Sequence, residues 1–478
     1  MLVSRIYEHA KETPDKTAMI FNGGAVSYRQ FASLIQRSRD YLTAHGVGGE
    51  GIAVLPTRPI LNTWFLSLAL RSLGLTAFPS QEPDTITLPE VRYVVVIAGP
   101  SRPNLIRLCV ANGWRLVQVP PAIYDGCGSE PAPEVKETER FGGHILLTSG
   151  TTGDPKKFLV DPAAEPILIR HRQTFLDMSA RSVVNVFDYA LWTVGGYNLP
   201  SAVWDAGGAV VVDQRSNAWE SFLCGGITDA VVTPHHLSRI LSASADAYAR
   251  DDAMRLFVGG GALSAQMAEA AKARLTSQIF THIACTEASS YALTRIDGPE
   301  DLSWHRIFPG RVVHVVDEED RVLPSGQSGM VRVRLLAGSA GYLDDEVATH
   351  AFFRDGYFYP GDLGVFRADG RLALLGRATE VINILGNKIA VGPIEEALQR
   401  KLQVSSVCVL SFPNQASQEE VHVVIESTRR LQEDVIAAAL NSTLPVKQVH
   451  LMYFDVLPRN EMGKIQRDVL QRTILSAS

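Results

Sequence analysis

The chain has 478 residues, 45 basic and 51 acidic, for a net charge of −6. At roughly 150 residues per domain this allows about three folding units and a sizeable core. An apolar fraction of 46% and a charged fraction of 20% exclude a disordered, collagen-like or coiled-coil chain, and the slight acidity offers no general field for nucleic acid. Cys109, Cys127, Cys224, Cys285 and Cys408 form no C-x-x-C pair and are odd in number. That argues against a disulfide framework or zinc knuckle and for a reducing compartment. Met1 to Lys16 is charged throughout and lacks the apolar stretch of a signal peptide. No apolar run is long enough to span a bilayer, so a cytoplasmic location is expected.

From about Ala25 to Val210, short apolar runs alternate with stretches of helical period, which predicts parallel α/β layers. Gly51 to Leu55, Tyr93 to Ile97, Trp114 to Val119 and His144 to Leu147 read as buried strands, and the Pro-, Gly- and Glu-rich stretch Asp125 to Arg140 as a solvated loop. Strands are expected again at Val183 to Phe187, Ala209 to Val212, Ala230 to Val232, Leu256 to Val258 and Gln278 to Ile283. Val312 to Val316, a turn at Pro324 to Gly326, and Gly329 to Leu335 read as antiparallel β structure. Pro393 opens a helix with Ile394, Leu398 and Leu402 on one face. Strands Val407 to Leu410 and Val421 to Ile425, a helix over Asp434 to Leu440 and a strand around Val449 to Phe454 complete a small α+β unit. The boundary falls near Gly376-Arg377.

Five segments concentrate the chemistry. Leu147 to Lys157, LTSGTTGDPKK, follows a strand and gathers glycines and hydroxyls over Thr148 to Gly153, with Lys156 after a turn. Glycine admits an anion close to backbone N–H groups and hydroxyls add donors, which suits phosphate; a plain surface turn has the same composition. The spacing is not that of a Walker A loop. In Tyr357 to Leu363, YFYPGDL, the carboxylate of Asp362 can accept from a vicinal diol, although most such segments are only turns. Thr286-Glu287 ends an apolar strand, where α/β proteins place ligand groups, and a single carboxylate plus phosphate suits Mg²⁺; a solvated strand-end Glu is the alternative. Asp369 to Glu395 carries Gly376-Arg377 and a polar break suited to a hinge. Leu457 to Arg467, LPRNEMGKIQR, sets Lys464 in a loop near the C-terminus, where an exposed lysine usually only solubilises.

Taken in order, these segments resemble the adenylate-forming superfamily of acyl- and aryl-CoA synthetases, luciferases and peptide-synthetase adenylation domains. The resemblance covers essentially the whole chain, with weaker matches at Val26-Ser27-Tyr28, Leu70 to Pro79, and Gly341-Tyr342 with Thr349. It implies a large N-terminal domain (1–376) of layered αβ subdomains with a small β-barrel-like part, then a small mobile α+β domain (377–478). It also implies a two-step reaction: ATP and a carboxylic acid form an acyl-adenylate and pyrophosphate, and a thiol displaces AMP. By the same resemblance Thr148, Ser149, Gly150, Thr151, Thr152, Gly153 and Lys156 hold phosphates, and Glu287 helps to bind Mg²⁺. Gly260, Gly261, Ile283, Ala284, Cys285 and Thr286 bind the nucleotide, with Ile283, Ala284 and Cys285 against the adenine, and Asp362 and Arg377 fix the ribose. Lys464 bridges carboxylate and α-phosphate, and the small domain turns about Ala378 and Thr379.

The chain departs from the family pattern in places. Ile283, Ala284 and Cys285 replace the usual aromatic and glycine, Thr379 replaces the usual Asp or Lys of the hinge, and Asn383 replaces a lysine associated with thioester formation. By position, Phe187, Asp188, Gly195, Gly259 and His282 belong to the acid pocket. Asp188 suits a cationic or hydroxylated acid, or else pairs with His282 or a backbone N–H. The run Gly259 to Gly261 leaves room for a flat or bulky acid. The chain ends soon after Lys464, so a free-standing enzyme is expected, its thiol supplied by CoA or by a separate phosphopantetheinyl carrier protein. Loading of a carrier protein and a degenerate nucleotide-binding regulator remain as alternatives.

Overall fold

The computed structural model describes residues 2–56, 60–80, 86, 88–100, 102–126, 140–148, 155–187, 189–213, 226–244, 248–384, 387–404, 406–413, 419–444, 449–459 and 465–477. The predicted loop after Asp125 lies mostly outside them. Apolar runs without alternation become strands buried on both faces. They form two mainly parallel sheets. One orders the strands Tyr342–Leu343, Lys156–Val160, His144–Thr148, Thr76–Ser80, Ile52–Pro56, Val91–Ile97 and Arg115–Val119. The other runs Ser289–Arg295, Gln278–Cys285, Arg255–Val258, Asp229–Val232, Val183–Asn185, Ala209–Val212, Thr17–Phe21 and Gly24–Ser27. A third sheet, antiparallel, contains Ser328–Arg334, Asp362–Phe366 and Arg371–Arg377. Beyond it, Ser406–Pro413, Glu419–Glu426 and Val449–Phe454 form a sheet packed with helices Val391–Leu402 and Glu433–Asn441, around a core of its own. Among the described residues no helix is long and apolar enough to cross a membrane.

Two boundaries differ from expectation. The strand predicted to reach Phe187 stops at Asn185, because Phe187 turns to φ 22° and stacks its ring on His236 at 4.9 Å. The helix expected from Pro393 begins at Val391, so proline sits in the first turn, where its missing N–H costs nothing. Ser27 in the Val26-Ser27-Tyr28 match is a helix cap: it accepts from the Gln30 N–H while Gln30 returns to the Ser27 N–H.

Two helices, the entry to the strand His144–Thr148 and a π-turn are tied together by a buried charge. Arg71, closing the helix Ile60–Ser72, makes a two-pronged pair with Glu165 at 2.8 and 2.6 Å. Its Nε donates to the Gly142 carbonyl at 2.9 Å, and it also donates to the Tyr197 hydroxyl. Gly142 leads into the strand His144–Thr148, Glu165 opens the helix Glu165–Leu176, and Tyr197 belongs to the π-turn Val194–Asn198. Both charged side chains are at most 5% exposed. Removing one partner strands the other charge in an apolar layer. Arg71→Met should therefore lower unfolding free energy by about 3–5 kcal/mol, read from the denaturant midpoint; a loss within the range of a surface substitution would refute the pairing.

Candidate active site

Strand His144–Thr148 runs antiparallel to Lys156–Val160, and its last residue, Thr148, faces Lys156. The loop they bracket, including Ser149, Gly150, Thr151, Thr152 and Gly153, lies outside the described residues. Lys156 Nζ stands 5.9 Å from the ring centre of Tyr342 and 5.5 Å from that of Phe352, close enough for cation–π attraction. Tyr342 extends the same sheet, pairing with Phe158.

The Tyr342 hydroxyl donates to Glu287 Oε1 at 2.6 Å. Glu287 lies in the turn between Gln278–Cys285 and Ser289–Arg295 and is 9% exposed. Burial raises its carboxyl above the ordinary range, while the Tyr342 hydrogen bond and the charges of Arg377 and Lys156 pull it back. Lys156, Glu287 and Arg377, from three separate motifs, thus share one electrostatic neighbourhood. Tyr342 is held by its own match: its N–H donates to Thr349 Oγ1 at 2.8 Å, and a Cβ on Gly341, at φ 90°, would come within 2.1 Å of Thr349 Cγ2.

Asp362 pairs with Arg377 at 3.1 Å across adjacent antiparallel strands. Arg377 also donates to the Pro360 carbonyl. Ala378 N–H donates to the Gly361 carbonyl at 2.8 Å and Glu380 N–H to the Arg377 carbonyl at 2.9 Å, so Ala378 and exposed Thr379 directly follow this pair. Cys285 is half-buried; burial, with Glu287 adding to it, pushes its thiol up and makes it a poor nucleophile. Ile283 is half-buried and Ala284 exposed, at a register shift against the neighbouring strand. The buried Ser289, at φ 60°, has an Oγ without a partner; no sequence signal marks it.

Gly260, at φ 77°, and Gly261 lie over Thr233 and Pro234. Gly259 differs from expectation, because a Cβ there would meet the His282 ring at 2.3 Å. The space opened by that glycine is taken by the imidazole. His282 is half-buried, lowered to about 4 by burial, and its Nδ1 has no partner, so it stays neutral near pH 7. Tyr189 lies against Gly195, where a Cβ would come within 2.7 Å of its ring. Asp188 and Lys464 lie outside the described residues. The chain flanking Lys464 is anchored: Arg459 and Ile465 form a bridge, and Arg467 pairs with Glu395 at 2.7 Å and Glu380 at 3.4 Å. A 630 Å³ cleft lies between Phe454–Arg459 of this part and His235 of the large domain, next in sequence to the Pro234 that covers Gly261.

The sequence family described as AMP-binding enzyme matches residues 6–343, and the chain belongs to it, within the adenylate-forming acid ligases. The chain is 25% identical to malpinin synthetase of Mortierella alpina over 98% of its length, but spans only 6% of that protein. The O-succinylbenzoate coenzyme A synthetase of Bacillus subtilis, in complex with ATP and magnesium, superimposes with a TM-score of 0.81 at 18% identity, covering 98% of this chain and 99% of that one. The anthranilate CoA ligase AuaEII with anthranoyl-AMP gives 0.82 at 19% identity, covering 100% and 98%.

The Gly259 contact generates a direct test. Gly259→Ala forces the His282 ring aside, an overpacking worth about 1–3 kcal/mol. With Gly259 and His282 at an acid site, as their positions in the sequence predict, the KM for the acid should rise roughly 10-fold or more while that for ATP changes less than about twofold. Equal changes in both constants would remove Gly259 and His282 from the acid pocket.

Proposed function

We propose that this AMP-binding enzyme joins a carboxylic acid, aryl or small acyl, to ATP as an acyl-adenylate and then passes the acyl group to a phosphopantetheine thiol, CoA being favoured. The observation that carries the reading is the meeting of Lys156, Glu287, Tyr342 and Arg377 beside the Asp362–Arg377 pair. Attack of a carboxylate on an α-phosphate brings two anions together, so cations and donors must be in place where charge gathers. Thr148, Lys156 and the loop between them hold the β- and γ-phosphates. Asp362 accepts from the ribose hydroxyls, with Arg377 orienting its carboxylate. Gly260, Gly261, Ile283, Ala284, Cys285 and Thr286 form the adenine wall, aliphatic where the family usually has an aromatic.

Glu287 is the residue that would hold Mg²⁺. A buried carboxylate, oriented by a phenol and flanked by phosphate-binding groups, fits an ion that takes one protein oxygen beside phosphates and waters. Bound there, the ion would neutralise triphosphate charge. Lys464 reaches the cleft when the small domain, residues 377–478, turns about Ala378 and Thr379, and places its ammonium between the acid and the α-phosphate. The free thiols of Cys109, Cys285 and Cys408 suit a reducing, cytoplasmic setting. A second reading, loading of a separate carrier protein, is favoured by Asn383 in place of the thioester-associated lysine and by the similarity to nonribosomal peptide synthetases.

Carboxylate-dependent exchange of pyrophosphate into ATP tests adenylation, and thioester formation with CoA or with carrier proteins separates the acceptors. Failure of exchange with a wide acid panel would favour a nucleotide-binding regulator instead. Lys464→Ala should abolish exchange with ATP affinity nearly unchanged; parallel loss of affinity would contradict its role. Tyr342→Phe removes a hydrogen bond that stabilises the Glu287 carboxylate. The acid limb of the exchange rate should therefore move to higher pH, and a limb that stays in place would detach Tyr342 from Glu287.

A further inference from the structure

A buried guanidinium is costly to desolvate, so its place in a fold calls for a reason other than stability alone. Arg311 is 8% exposed, and its Nη2 donates to two backbone carbonyls, that of Ala288 at 2.7 Å and that of Arg334 at 3.1 Å. Its buried Nε has no partner. The two carbonyls belong to different sheets. Ala288 lies in the turn that holds Glu287, between Gln278–Cys285 and Ser289–Arg295. Arg334 ends the strand Ser328–Arg334, in the antiparallel sheet that carries Asp362 and Arg377.

The peptide that Arg311 grips is a strained one. Ser289, on its far side, is buried and stands at φ 60°, a left-handed conformation that residues other than glycine disfavour. The Ser289 Oγ has no partner, so its side chain does not hold that conformation. Such strain persists only where the surroundings fix it, and a donor on the Ala288 carbonyl fixes this peptide from the neighbouring sheet. Glu287 directly precedes Ala288, and its Oε1 accepts from the Tyr342 hydroxyl at 2.6 Å. The turn is thus held by Tyr342 at the carboxylate and by Arg311 at the backbone. The charges of Arg311, Asp362 and Arg377 all act on the buried Tyr291 hydroxyl, which puts this tie beside the Asp362–Arg377 pair. The largest charge effects on Glu287 itself come from Arg377 and Lys156, so the influence of Arg311 on Glu287 runs through the backbone.

We propose that Arg311 is a positioning residue: by tying the Ala288 carbonyl to that of Arg334, it fixes the turn so that the Glu287 carboxylate meets the Tyr342 hydroxyl. The part this plays in catalysis rests on the acid-adenylating reading above; the placement itself does not.

The test is the titration of Glu287 in the full chain, followed by the carboxyl-13C glutamate resonance that is lost in Glu287→Gln. In Arg311→Met the turn relaxes and the Tyr342 hydrogen bond to the ionised form weakens. The midpoint should rise by about one pH unit, the scale of one hydrogen bond to a charged group. Tyr342→Phe should give a similar rise, and the two changes together no more than either alone, because both act through one contact. Arg311→Lys, whose ammonium can donate to both carbonyls, should titrate closer to wild type; if Arg311→Met does not fold, Arg311→Lys must still show a smaller rise in the same direction. Ser289→Gly, at ease at φ 60°, should recover part of the shift when added to Arg311→Met. The acid limb of pyrophosphate exchange should follow the same order. A midpoint unmoved in every folded Arg311 variant, whatever its melting temperature, would make Arg311 structural and overturn the proposal. Rises that add in full with Tyr342→Phe would mark a plain charge effect and overturn it too. Exchange with no acid in wild type would overturn the adenylation reading and leave the Glu287 titration to decide the role of Arg311.

Discussion

A single hydrogen bond, from Tyr342 to Glu287, joins the pieces on which the chemistry depends. Tyr342 extends the sheet that presents Thr148 and Lys156, while Glu287 lies in the turn that follows a strand of the other sheet. Their 2.6 Å contact brings Lys156, beside the Tyr342 ring, and the buried carboxylate into one neighbourhood. A carboxylate in that position is costly unless donors and cations hold it, and Tyr342, Arg377 and Lys156 are the groups that do so. The charge pattern is therefore built before any nucleotide binds, which is what stabilisation of developing charge requires.

The rest of the large domain keeps that point rigid. Arg71 fixes the entry to the strand His144–Thr148, the start of the helix bearing Phe175 and Arg172, and the π-turn bearing Gly195, all through one guanidinium. Arg71 and Arg172 are both buried yet oppositely provided for. The first is closed by Glu165 and acts as a joint; the second meets the Asn198 carbonyl and, among the described residues, no carboxylate.

Much of this was legible in the sequence where local rules govern. Long apolar runs such as Tyr93 to Ile97 could only be buried strands, and the helix with Ile394, Leu398 and Leu402 showed its inner face by spacing alone. The motif residues Lys156, Glu287, Asp362 and Arg377 could be picked out because their order along the chain carried a family resemblance. What stayed hidden depends on partners distant in sequence. Arg71 and Glu165, 94 positions apart, have no mutual signal, and neither do Tyr342 and Glu287. Gly259 read as space for substrate because sequence shows the missing side chain and not the His282 ring that fills it. Phe187 ended its strand early for a tertiary reason, its stacking on His236.

The most direct measurement is a crystal structure of the full chain with Mg²⁺ and a non-hydrolysable acyl-sulfamoyl adenosine. The account predicts ribose hydroxyls on Asp362, adenine between Gly260-Gly261 and Ile283 to Cys285, and the Lys464 ammonium within hydrogen-bond reach of the sulfamoyl group, about 3 Å. Adenosine bound elsewhere, or a position 464 turned away from the cleft with the analogue in place, would contradict it.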